Sequence, residues 1–186
     1  MNEVLKVIKQ RRTTRKFKKE QIKDKELDTI LEAGLYAPSA HNNQSWNFTV
    51  IQDENLLDEL NINTKNIAKS FPDETIKKMA NNEKFDIFYN APTVVVVSGK
   101  NDAMMPQIDC AAATENMLIA AESLDIGACW NGMVGFLFNS ERKNEYIEKL
   151  NIPEGYTPYY AVALGYKKVN VTNTLKRKEN SIQYIK

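Results

Sequence analysis

Apolar positions recur at helical spacing from the start of the chain. Val4, Leu5 and Ile8 share one face, Asn2 stands where a cap is needed, and Glu3 lies in the first turn. A second stripe of Leu27, Ile30, Leu31 and Leu35 predicts a helix over residues 24–36, with Pro38 stopping it. Residues 46–51 alternate Trp46, Phe48 and Val50 against Asn47, Thr49 and Ile51, and residues 93–97 form a β-branched run between Pro92 and Gly99. Both read as strands, the second buried on both faces. Between them the period predicts two polar helices, over residues 54–62 and 66–79, with Pro72 limiting the second. Residues 109–124 are rich in alanine and show little polar face, so that helix is central or at an interface. Residues 128–138 are aromatic and punctuated by glycine, residues 140–150 return to helix, and residues 159–165 read as a strand after Pro158. From Thr172 the tail carries Leu175, Ile182, Tyr184 and Ile185, spaced as in an extended segment.

Interleaved helices and strands without a repeat or linker predict one domain over residues 1–186, a size at which a chain buries a substantial core. Twenty-five Lys and Arg against 24 Asp and Glu leave a net charge of +1, so no global field favours nucleic acid or an anionic membrane. Cys110, Cys129 and the single histidine, His41, cannot build a disulfide framework or a zinc site. The longest apolar stretch falls far short of the ~20 residues of a membrane span, and Glu3, Lys6 and Lys9 stand where a secretory signal would be apolar. A cytoplasmic protein with reduced thiols is expected.

Three segments carry candidate chemistry. Arg11, Arg12, Arg15, Lys16, Lys18 and Lys19 surround the hydroxyls of Thr13 and Thr14, a set matched to phosphate oxygens or to a solvated basic face. Residues 37–46 gather Ser39, His41, Asn42, Asn43 and Gln44 on a loop before a strand, groups suited to a heteroatom ring or to satisfying their own turn. Around Trp130, Gly127 and Gly132 would let backbone approach a flat ligand, the plainer reading being a loop between helices. Cys129 reads as a packing residue, with no cation beside it in sequence. Neither GxxxxGK[ST] nor GxGxxG occurs, which argues against a P-loop or a Rossmann dinucleotide site.

Taken in order, residues 11–17 (RRTTRKF), 37–46 (APSAHNNQSW), 127–132 (GACWNG) and Leu164-Gly165-Tyr166 with Arg177 resemble the FMN-dependent nitroreductase family over nearly the whole chain. The resemblance implies an α+β fold: a mixed, mainly antiparallel sheet flanked by helices, in an intertwined homodimer with two FMN sites at the interface. The Ala-rich helix would then be the dimer core, and residues 181–185 would be exchanged as a strand onto the partner's sheet. It places Arg11 and Thr13, with Arg12 beside them, on the FMN phosphate and ribityl chain, and Arg15 at the pyrimidine end. Arg177 matches a second phosphate ligand. Pro38, Ser39, Ala40 and Asn42 match a loop from the other subunit over the isoalloxazine, and Asn131 and Gly132 a segment against flavin N5.

The implied reaction is ping-pong, with NADH or NADPH reducing FMN and a nitroaromatic or quinone then taking the hydride at the same position. No side chain is assigned as catalytic, and His41 is held only as a substrate contact. Ser45 stands where many relatives have Pro, Asn131 where some have Glu, and Leu175 where some have Lys, with Lys176 as the substitute. A roof over the site would have to come from residues 63–82. A dehalogenase-like enzyme on the same scaffold, a low-turnover flavin-binding protein and a flavin-free basic module are the competing readings.

Overall fold

The computed structural model describes residues 2–174 and 176–186, so Leu175 lies outside the described residues. Its centre is a four-stranded sheet of β1 (Trp46–Ile51), β2 (Thr93–Lys100), β3 (Ile126–Asn131) and β4 (Tyr156–Tyr166), in the order β1-β2-β4-β3. All three pairings are antiparallel, and the one parallel element among the described residues is an isolated bridge from Thr13 to Ala128 on β3. Successive side chains of a strand face opposite ways, and the central strands show it. Val94, Val96, Ala161, Ala163 and Cys129 join one core cluster, while Val95, Val97, Val162, Leu164 and Ala128 join the other.

Helices cover both faces. On one side lie α3 (Glu54–Ala68), α6 (Val134–Phe138) and α7 (Lys143–Lys149); on the other lie α2 (Asp24–Leu35) and α5 (Pro106–Ser123). Asn2 caps α1 (Glu3–Gln10), its side chain accepting from the Val4 amide at 2.8 Å. No residue of α1 is buried: Val4, Leu5 and Ile8 are 61, 51 and 47% exposed. Among the described residues, no helix is long and apolar enough to cross a membrane.

Several sequence expectations need correction. The helix predicted to end at residue 62 runs on to Ala68, and the break falls at residues 69–73, before α4 (Glu74–Asn81). Polar residues on the inner face of α3 hide its period: Thr64 is fully buried, and the ammonium of buried Lys65 donates to the carbonyls of Asn82 and Phe85 at 2.8 and 2.7 Å. Asp73 starts α4 by accepting from the Thr75 and Ile76 amides. Helix α5 begins three residues early, at Pro106, whose fixed φ suits the first helical position. Its inward face of Cys110, Ala113, Thr114, Met117, Leu118 and Ala121 is buried in this chain's own core, so its apolarity is accounted for before any partner is added.

The stretch read as a loop around Cys129 is β3, an edge strand with five of its six residues buried. Strand β4 starts at Tyr156, ahead of Pro158. A proline is tolerated there because β3 pairs only as far as Ala161 and the ladder to β2 shifts register between Val97 and Ser98. The tail, residues 172–174 and 176–186, belongs to no strand of this chain, with Ile182, Tyr184 and Ile185 between 72 and 101% exposed.

Candidate functional site

Past α1 the chain extends along the sheet edge. The Thr14 amide donates to Ala128 O at 2.9 Å, Lys18 N to Tyr166 O at 2.9 Å and Lys168 N to Lys16 O at 3.0 Å. Extended backbone sends alternate side chains to opposite sides, so Arg11, Thr13 and Arg15 share one side and Arg12 and Thr14 the other. Thr14 is buried against Gly127, where an added Cβ would lie 2.7–2.9 Å from its side-chain atoms. The bareness of Gly127 is therefore used by the chain itself, whereas a Cβ on Gly132 would meet nothing within 4 Å.

The basic cluster divides accordingly. Arg12 donates to the carbonyls of Lys9 and Arg11 and to the Thr174 hydroxyl at 2.6 Å, away from Arg11, Thr13 and Arg15. Among the described residues Arg11 has only a loose partner, Glu115, at 3.8 Å. Arg15 donates through Nε to the Tyr89 hydroxyl at 3.2 Å, with its guanidinium carbon 5.7 Å from that ring's centre. Arg15 is also the cation that Cys129 lacked in sequence. Burial pushes the Cys129 thiol up and Arg15 partly offsets this, which leaves a packing residue.

Asn131 is committed at both ends. Its amide nitrogen donates to Ile87 O, while Oδ1 accepts from the Met133 amide at 2.8 Å and the Val134 amide at 3.3 Å, starting α6. Beside Gly132 a cavity of about 460 Å³ is lined by Ile67, Phe71, Pro72, Gly135 and Phe136, with Phe71 edge-on to Phe136 at 4.8 Å. The region expected to form a roof thus packs on this chain's own α6.

The loop after α2 holds Pro38, Ser39, Ala40 and Asn42. His41, Asn42 and Gln44 all adopt left-handed φ, near +50°. Such backbone is disfavoured for residues with a Cβ and persists only when braced. The brace is Asp109, 2% exposed in the first turn of α5. Its Oδ1 accepts from the Ala40 amide at 2.9 Å and its Oδ2 from the Ser45 hydroxyl at 2.8 Å. The Ser39 hydroxyl closes the turn by accepting from Gln44 N at 2.9 Å. Among the described residues, no hydrogen bond links this loop to residues 11–15, and exposed His41 makes no side-chain hydrogen bond. Lys176 pairs with Glu179 at 2.5 Å on the exposed tail, where Arg177 also lies.

Asp109 and Tyr89 were missed by sequence reasoning. Asp109 is the one acidic residue in the first turn of the Ala-rich helix, and Tyr89 stands two residues before Ala91-Pro92, each a weak signal alone.

Arg11, Thr13 and Arg15 thus alternate along the segment that bridges to β3 at Ala128, and the chain past the end of β3 enters the open backbone of Gly132. The sequence profile described as "Nitroreductase family" matches residues 8–166. The chain belongs to the nitroreductase family. This nitroreductase-family chain is 36% identical over 174 residues to an Archaeoglobus fulgidus protein whose name includes NAD(P)H nitroreductase, covering 90% of this chain and 87% of that one. In structure it matches a nitroreductase with bound FMN from Bacteroides fragilis at a TM-score of 0.92, with 35% identity and all of both chains covered. A second nitroreductase with bound FMN, from Desulfitobacterium hafniense, matches at 0.90 with 30% identity, again over both whole chains.

Proposed function

We propose that this protein is an FMN-dependent oxidoreductase that takes reducing equivalents from NADH or NADPH and passes them to nitroaromatic or quinone-type acceptors. The observation that carries this reading is the alternate spacing of Arg11, Thr13 and Arg15 along the segment that bridges to β3, with Arg11 paired only loosely with Glu115 at 3.8 Å and, among the described residues, no carboxylate paired with Arg15. The donor set fits FMN. Two guanidinium groups and a hydroxyl match a phosphate, a polyol and a carbonyl edge, and a flat ring needs the uncrowded backbone at Gly132.

When bound, FMN supplies hydride transfer at a ring nitrogen. Arg11 and Thr13, with Arg177 and Lys176 from the tail, hold the phosphate end. Arg15 holds the pyrimidine edge, where a fixed cation favours the electron-rich form. Asn131 fixes the backbone that leads into Gly132, and Pro38, Ser39, Ala40 and Asn42 cover the ring from a second subunit. No protein acid or base is required, so His41 is at most a substrate contact.

The shared-site homodimer is part of the proposal. Val4, Leu5 and Ile8 on α1 and Ile108 on α5 form unpartnered apolar surface, and Ile182, Tyr184 and Ile185 are solvent-exposed on an extended tail. An exposed face of this kind is expected where a partner packs. Titration of the apoprotein with FMN, followed by sedimentation, tests the whole reading. The expected result is one FMN per chain in a dimer, with Arg11→Ala weakening binding at least tenfold. A protein that binds no FMN would overturn it.

A further inference from the structure

The turn at residues 86–90 brings Arg15 and Asn131 together, and its backbone is strained. Tyr89 has φ +59° and Asn90 φ +53°, left-handed values that a bulky aromatic residue avoids. The turn is braced from several directions. Asp86 accepts from the Phe88 and Asn90 amides at 2.8 and 2.9 Å. Asn61 on α3 accepts from Ile87 N at 3.0 Å, and Asn131 donates to Ile87 O. Buried Lys65 donates to the Phe85 carbonyl just ahead of the turn at 2.7 Å, and Phe85 stacks edge-on against Tyr89 at 5.8 Å. Bracing of this density around one disfavoured backbone conformation marks a position where side-chain placement matters.

What the strained residue places is a phenol on a cation. The Tyr89 hydroxyl accepts from Arg15 Nε, and the ring lies within cation–π range of the same guanidinium. Arg15 has no carboxylate partner among the described residues, so its terminal nitrogens remain open donors. An arginine on an exposed edge loses rotamer freedom when it binds a ligand, and a partner that fixes it beforehand lowers that cost.

We propose that Tyr89 is a positioning residue of the ring-binding site, held by the strained 86–90 turn so that its hydroxyl and ring fix Arg15 against the polar edge of the flavin. This rests on the FMN reading above. It also links the segment ending at Asn131 and Gly132 to the Arg15 side of the site, since Asn131 grips the turn that carries Tyr89. Tyr89 acts through Arg15 and does not itself take part in hydride transfer.

The test is the two-electron midpoint potential of the FMN-loaded protein, measured spectroelectrochemically for the wild type, Tyr89→Phe, Arg15→Ala and the double variant. Losing the hydroxyl should cut the preference for reduced over oxidised flavin about fivefold, a fall of about 20 mV for a two-electron couple. Arg15→Ala should lower the potential further, and the double variant should match Arg15→Ala alone. A Tyr89→Phe potential equal to the wild type, or a double variant showing both shifts in sum, would overturn the inference while leaving the FMN reading intact. A wild-type protein that takes up no FMN would overturn both.

Discussion

Replacing Asp109 by alanine tests whether one buried carboxylate holds the loop that carries Pro38, Ser39, Ala40 and Asn42. The carboxylate receives two hydrogen bonds, from the Ala40 amide at 2.9 Å and the Ser45 hydroxyl at 2.8 Å, and it is 2% exposed. A hydrogen bond to a charged group contributes about 1.5–3 kcal/mol, so losing both costs about 3 kcal/mol at the lower end. For a chain of this length that is a fall in Tm of roughly 6–12 °C, at about 2–4 °C per kcal/mol. Asp109→Asn keeps an acceptor for Ala40 and a donor for the Ser45 oxygen, so it should cost only about 1 kcal/mol. The assay is thermal unfolding at one fixed protein concentration, because the Tm of the proposed dimer would depend on concentration. A double-mutant cycle with Ser45→Ala should return a coupling near 1 kcal/mol. An alanine variant within about 0.5 kcal/mol of the wild type, or an asparagine variant as damaged as the alanine one, would refute the clamp.

Gly127→Ala should displace Thr14 and with it residues 11–15, since the new Cβ meets Thr14 atoms at 2.7–2.9 Å; the expected cost is about 1–3 kcal/mol together with weakened FMN binding, read by unfolding and flavin titration. Ile108→Glu, at a 62% exposed position, should shift the protein toward monomer in sedimentation without unfolding it, whereas Ala113→Glu, at a fully buried position, should unfold the chain. The Lys149 ammonium, at 2.6 Å, and then the Tyr146 hydroxyl hold the Glu59 carboxyl below its ordinary 4.5. The unfolded chain thus binds more protons in that window, so stability is present above about pH 4.5 and lost as pH falls through the lowered value. Glu59→Gln should flatten this acid limb by less than about 1 kcal/mol, because the pair is partly exposed and screened.

How much of the fold was legible in sequence follows from which faces each element buries. α2 is amphipathic and was read from its period, β2 announces itself by four consecutive valines, and β1 was read from an alternation that the structure keeps only in part, since Val50 is 37% exposed and Ile51 is buried. β3 was lost because Gly127, Ala128 and Cys129 are small and nearly all of the strand is buried, so no alternation is left to read. α3 was cut short because Thr64 and Lys65 are polar yet buried, and the burial of Lys65 depends on the carbonyls of Asn82 and Phe85, 17 and 20 residues downstream. The site divides in the same way. Arg11, Thr13 and Arg15 are spaced two apart in one short segment, so the extended backbone that aligns them is local. Asp109 and Tyr89 reach their partners across 69 and 74 residues, contacts that only the folded sheet creates.

The most direct test of the central claim is anaerobic titration of the FMN-loaded protein with NADH and with NADPH, followed by addition of a quinone or nitroaromatic. The account predicts that the oxidised flavin absorbance bleaches with at least one donor and returns in stoichiometric amount when the acceptor is added. Flavin that stays oxidised with both donors, or that bleaches and is not reoxidised by either class of acceptor, would contradict it.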